Sequence, residues 1–136
     1  MTQTNRISDE TGKAVLVVED DAALRASICS MLRGEGITAF EAADGPEALD
    51  LLTRNRGTVL IILDLMMARM NGWEFRSRLT ADPLLSRIPI LAINDNGGQG
   101  VYAGPHGVTY SLAKPFKAED LLAYVRRYVH RGSQRR

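Results

Sequence analysis

Residues 59–63 read Val-Leu-Ile-Ile-Leu and run directly into Asp64. A run this short, apolar at consecutive positions, must be covered on both of its faces, as the inner strands of a parallel sheet are. To either side, similar runs rich in apolar and β-branched residues occur at Ala14–Val18, Ile37–Ala42, Ile90–Ile93 and Val108–Leu112. Between them the apolar positions recur at helical spacing: Leu24, Ile28, Met31 and Leu32; Ala48, Leu49 and Leu52; Leu121, Leu122, Val125 and Val129. Trp73, Arg76 and Leu79 lie in a further helical stretch, opened by Asn71-Gly72 and closed before Pro83. Repeated strand–helix alternation predicts a parallel sheet with helices on both faces. In such sheets ligands bind beyond the carboxyl ends of the strands, which directs attention to the residues after Val18, Leu63, Ile93 and Ala113.

The composition sets the limits. The sequence has 136 residues, 45% hydrophobic and 24% charged, which suits one globular domain and excludes wholesale disorder. Lys and Arg total 17 against 16 Asp and Glu, a net charge of +1, which argues against a dedicated nucleic-acid binder. The single cysteine, Cys29, has no internal disulfide partner and reads as a small packing residue at the edge of an apolar stripe. No apolar run is long enough to cross a bilayer, and residues 1–13 carry no signal-peptide pattern. The expected organisation is an unstructured leader at 1–13, one domain over 14–130 and a short basic tail at 131–136, in a cytoplasmic protein without membrane contact. The arginines near the C-terminus, Arg126 and Arg127 among them, suit a helix end and a solvated face. His106 and His130 have no partner at ligand spacing, and Trp73 reads as an ordinary half-buried aromatic.

The chemistry sits at the strand ends. Glu19-Asp20-Asp21 comes after the first strand, Asp64 after the third, and Lys114-Pro115 after the fifth. Carboxylates converging on one sheet edge repel one another unless a cation neutralises them. Carboxylate, carbonyl and water oxygens are hard ligands that suit Mg²⁺ better than Zn²⁺. Asp20 and Asp64 point to such a metal site, whereas Asp21 fits the N-cap of the next helix. Lys114, aimed at the same acids, can form a salt bridge to Asp64 and can equally neutralise a phosphoryl group arriving there.

The segments VLVVEDD (15–21), LIILDLMMARMNG (60–72) and LAKPF (112–116), in this order, resemble the receiver domain of two-component response regulators. The resemblance covers about Ala14–Tyr128. It implies a flavodoxin-like, doubly wound, five-stranded parallel sheet. It makes Asp64 the phosphoacceptor, taking a phosphoryl group from a histidine kinase or a histidine phosphotransfer protein. Glu19 and Asp20 become the acidic pair, Asp20 a direct Mg²⁺ ligand and Glu19 acting mainly through water, with the Met66 carbonyl completing the protein ligands alongside Asp64. Lys114 would hold a phosphoryl oxygen, and Pro115 would come next in the cis form.

The sequence also departs from the family pattern. Asn94 stands where a Thr or Ser hydroxyl usually meets the phosphoryl group, and its amide donates with a different geometry. Ser111 stands where a Tyr or Phe usually swings inward, with Tyr110 one position early and facing the other way. Ala68 and Asn71 replace the usual Pro and Asp of the loop after the phosphoacceptor. Five glycines in Asn94–Gly107 make the helix expected between the fourth and fifth strands, the family's fourth, short or replaced by a loop. The expectation is a stand-alone receiver, a monomer or weak homodimer, that signals by protein–protein contact or onward phosphotransfer and catalyses only its own phosphorylation and hydrolysis. The alternative is a pseudo-receiver that binds proteins without phosphorylation. An aspartate-nucleophile phosphatase would want an acid where Met66 stands, and a dinucleotide-binding domain would want glycines where Glu19–Asp21 stands.

Overall fold

The computed structural model describes residues 13–64, 72–94 and 108–130. Five strands, β1 (Ala14–Val18), β2 (Thr38–Ala42), β3 (Thr58–Asp64), β4 (Ile90–Asn94) and β5 (Val108–Ala113), form one parallel sheet in the order β2-β1-β3-β4-β5. The helices are α1 (Ala22–Gly34), α2 (Gly45–Arg54), α3 (Gly72–Ala81) and α4 (Ala118–Val129), with a 3-10 turn at Leu85–Arg87. After β1 the chain steps outward to β2, then returns across β1 to place β3 on its other side. The crevice between the ends of β1 and β3 is therefore the topological switch point, where doubly wound sheets hold their ligands.

Side-chain alternation on the inner strands builds two cores. Val15 and Val17 of β1, with Leu60 and Ile62 of β3, pack against Ile28, Cys29 and Leu32 of α1 and Leu121 and Val125 of α4. Leu16, Val18, Ile61 and Leu63 face the other way, against Ala48 and Leu52 of α2 and Phe75 and Leu79 of α3. The sequence reading of β3 as covered on both faces holds from Leu60 to Leu63, all fully buried, while Val59 near its start is only partly covered. At the sheet edge, β2 (TAFEA) alternates buried and half-buried positions over its first three residues, as one covered face requires.

The strand boundaries differ from the sequence reading by a residue. Ile37 precedes β2, whereas Asp64, Asn94 and Ala113 are the last residues of their strands and not the first residues beyond them. Asp64 pairs in register with Ile93, and Asn94 with Ala113, because the parallel ladder extends to the edge where the loops begin. Cys29 is a packing residue, as read, and is wholly buried in the core that α1 forms against the sheet. Its thiol is pushed up to about 11, by burial first and then by the Glu41 charge, and stays protonated at neutral pH. The glycine-rich stretch after Asn94, the 131–136 tail, the leader before Lys13, and Met66, Ala68 and Asn71 lie outside the described residues.

Carboxylate caps start α1 and α2, the first at Asp21 as the sequence places it, whereas α4 starts at Lys117 without a side-chain cap. Asp21 accepts the Leu24 N–H at 3.1 Å and opens α1. Asp44 accepts the Glu47 N–H at 2.9 Å, and Glu47 in turn accepts the Ala43 N–H at 2.8 Å. The α1 helix closes on Gly36, whose φ of +79° lies in the left-handed region that favours glycine. Asp44→Ala leaves an orphan N–H at the start of α2 and is expected to cost about 1 kcal/mol in urea unfolding, with Asp44→Ser recovering most of it.

Candidate functional site

Three strand ends deliver the charged groups. Glu19 and Asp20 come directly after β1, Asp64 closes β3, and Lys114 comes after β5 at a cis Lys114–Pro115 bond, the form that the resemblance implies. One carboxylate oxygen each from Glu19, Asp20 and Asp64 lies within 4.8 Å of the other two. Glu19 and Asp64 are buried, 1% and 3% exposed, and Asp20 faces solvent. Lys114 Nζ stands 3.4 Å from Asp64 Oδ2 and 3.7 Å from Glu19 Oε1, so the lysine bridges the two buried acids.

Among the described residues, the ion pairs to Lys114 set one ammonium against three carboxylates. The imbalance shows at Glu19. Its Oε2 accepts the Asp21 N–H at 3.1 Å, whereas its buried Oε1 has no hydrogen-bond partner. Burial first, and then the neighbouring Asp64 carboxyl, push the Glu19 carboxyl up to about 7, with the Asp21 N–H and Lys114 pulling the other way. A buried oxygen whose nearest cation, Lys114 Nζ, stands beyond hydrogen-bond distance at 3.7 Å, beside two further carboxylates, leaves room for a second positive charge. The donor set is all oxygen and all hard, which fits a divalent cation of the Mg²⁺ type.

The sequence-predicted residues thus divide. Glu19, Asp20, Asp64 and Lys114 are brought together. Asp21 faces the helix it caps. Asn94 ends β4 beside Ala113, one residue before Lys114, so its backbone lies at the same sheet edge. Met66 is outside the described residues. Ser111 is buried in β5 opposite Ala92.

Sequence reading missed Arg25 and Glu41. Arg25, one turn into α1, donates from Nη1 to the Glu19 carbonyl at 2.8 Å and from Nε to Glu41 Oε1 at 3.2 Å. The other Glu41 oxygen takes Arg33 Nη1 at 3.4 Å, and Arg33 Nη2 also reaches the Ala39 carbonyl at 2.6 Å. Helical spacing marks the apolar face of α1. It carries no signal that an arginine on that helix will turn back to the strand end before it.

A switch-point crevice with an acidic cluster and a bridging lysine defines a class, and the comparisons agree with it. The chain belongs to the response regulator receiver domain family, whose pattern matches residues 15–126. It is 39% identical over 121 residues to the response regulator MprA of Mycobacterium sp. strain KMS, covering 88% of this chain and 51% of that protein. The chain thus spans about half the length of the curated relatives it matches. Among solved structures, chemotaxis protein CheY4 of Vibrio cholerae is similar at 30% identity and a TM-score of 0.71, covering 85% of this chain and 98% of that one. A putative response regulator of Chloroflexus aurantiacus gives 28% identity and a TM-score of 0.75, covering 86% and 97%. The flavodoxin-like five-stranded sheet expected from the sequence is the fold observed.

Proposed function

We propose that this chain is a phosphoacceptor module in which Asp64 takes a phosphoryl group from a histidine kinase or a histidine phosphotransfer protein. The observation that carries the reading is the buried Asp64 carboxylate, bridged by Lys114 and clustered with Glu19 and Asp20. In the reaction an Asp64 carboxylate oxygen attacks phosphorus, forming an acyl phosphate. The bond from phosphorus to the histidine nitrogen breaks, and its electron pair stays on that nitrogen. With the other ring nitrogen protonated beforehand, the departing ring is a neutral imidazole. Little covalent help is needed, because phosphoryl transfer depends chiefly on positioning and charge neutralisation.

Lys114 supplies one neutralising charge, moving from its contact with Asp64 to an oxygen of the arriving group. Glu19, Asp20 and Asp64, with the Met66 carbonyl, are the residues that would hold Mg²⁺, which when bound supplies the remaining positive charge. Asn94 takes the position of the hydroxyl that usually meets the phosphoryl group. Output runs to another protein, by contact or by onward phosphotransfer.

Buried Ser111 favours a second reading for the output. A serine cannot make the inward swing of an aromatic ring, so a binding module that works without phosphorylation is the competing function. Incubation with acetyl phosphate, followed by intact mass, separates the two. One added phosphoryl group is expected with Mg²⁺ and none with EDTA. A folded protein that gains no mass with Mg²⁺ would favour the phosphorylation-independent module.

A further inference from the structure

We infer that Arg25 is a positioning residue for the acidic site, setting the direction in which Asp20 presents its carboxylate. The inference rests on the reading of Glu19, Asp20 and Asp64 as a Mg²⁺ site. Asp20 faces solvent, so packing does little to aim its side chain. The two peptide planes on either side of its Cα are each held by a hydrogen bond. The Asp20–Asp21 plane is held at its N–H by Glu19 Oε2, at 3.1 Å. The Glu19–Asp20 plane is held at its carbonyl by Arg25 Nη1, at 2.8 Å. Fixing both planes fixes the Cα–Cβ bond between them, and with it the arc open to the carboxylate.

Arg25 is itself held. Its side chain is 18% exposed, and its Nε donates to Glu41 Oε1. Arg33 grips the other Glu41 oxygen and the Ala39 carbonyl. On the same strand, the Ala42 carbonyl accepts the Glu19 N–H at 3.0 Å. Consecutive residues of β2 therefore secure the Glu19 backbone from both sides, one directly and one through the arginine. This arrangement needs a guanidinium. Nη1 and Nε donate in one rigid plane to a carbonyl and a carboxylate at once, whereas the single nitrogen of a lysine cannot span both. Residues behind a metal's ligands commonly carry 10–100-fold of its affinity, because they determine whether the ligands meet the ion without reorganising.

The test is titration of the full chain with MgCl₂ by calorimetry, alongside amide exchange at Asp21. Arg25→Lys keeps the charge and loses the fork; Arg25→Gln loses both. Both are expected to bind Mg²⁺ about tenfold more weakly than wild type and to exchange the Asp21 amide faster. Arg33→Lys shares Glu41 with Arg25 but does not touch Glu19, and is expected to stay within about twofold of wild type. Wild-type affinity in Arg25→Lys would overturn the inference. Tighter binding in Arg25→Gln would also overturn it, by showing that the nearby positive charge matters and the positioning does not. An equal loss in Arg33→Lys would assign the effect to general packing of α1 on β2 and overturn it too. If wild type binds no Mg²⁺, the metal reading fails first. Asp21 exchange then decides whether Arg25 holds the strand end: acceleration confined to the Arg25 variants supports that hold, and its absence removes it.

Discussion

Asp64→Asn is expected to take up no phosphoryl group from acetyl phosphate, and to be more stable than wild type at pH 8 in EDTA. The two effects have opposite signs for one physical reason. Asp64 is 3% exposed and shares its space with a buried glutamate and a further carboxylate. A residue retained for packing does not put like charges together in a buried crevice. One retained for chemistry does, and the fold is less stable for it. The amide keeps the shape, loses the nucleophile and removes one of the repelling charges. The ion pair to Lys114 is lost as well, which limits the gain to about 1–2 kcal/mol in thermal or urea unfolding. Because Asp64 helps to push the Glu19 carboxyl up, the substitution also lets Glu19 ionise at lower pH. An Asp64→Asn protein less stable than wild type under these conditions would mean that the carboxylate is worth more to the fold as a partner of Lys114 than it costs as a neighbour of Glu19.

The second large effect is a dependence of stability on pH that Mg²⁺ suppresses. The Glu19 carboxyl is raised from an ordinary 4.5 to about 7 in the folded protein, so folding is linked to holding a proton there. For a raised group the stabilisation is complete below the unfolded value and is lost as pH rises through the folded one. Between about pH 5 and 8 the metal-free protein should therefore lose on the order of 3 kcal/mol from this group. Other carboxylates titrate in the lower part of that range. The contribution of Glu19 is isolated by comparing wild type with Glu19→Gln in EDTA across the series, and the difference between the two should track the loss. Saturating Mg²⁺ should flatten it, because a cation on the deprotonated cluster does at high pH what the proton does at low pH. A wild-type curve parallel to that of Glu19→Gln would mean that Glu19 ionises normally despite its burial.

Much of this site is legible in the chain because parallel sheets turn sequence position into spatial position. A strand apolar on both faces has to be internal, and the residue at its carboxyl end has to lie at the edge where ligands bind. From Leu60–Leu63 alone, Asp64 is therefore placed at the crevice. The same rule places Glu19 and Lys114. The pairing of residues 50 apart, Lys114 with Asp64, comes from topology and not from any local signal. Asp21 is legible as a cap because its bond is local, three residues long. Arg25 and Glu41 are not. Their contact joins a helix to an edge strand 16 residues away, and neither residue interrupts a pattern. The full burial of Cys29 escapes the sequence for a related reason: helical spacing reports the angle of a residue around α1, while its burial depends on how α1 sits against β1 and β2.

The bridge from Lys114 to Asp64 also bears on the order in which the protein becomes itself. The acids come early in the chain and their cation comes late, 50 residues after the carboxylate it meets. As synthesis proceeds, β1 and β3 emerge with all three acids before the lysine that bridges two of them has been made. Closing the crevice at that stage sets carboxylates side by side ahead of Lys114. Lys114 follows β5 directly, so the strand made last also delivers the charge that bridges an acid after the first strand to one at the end of the third.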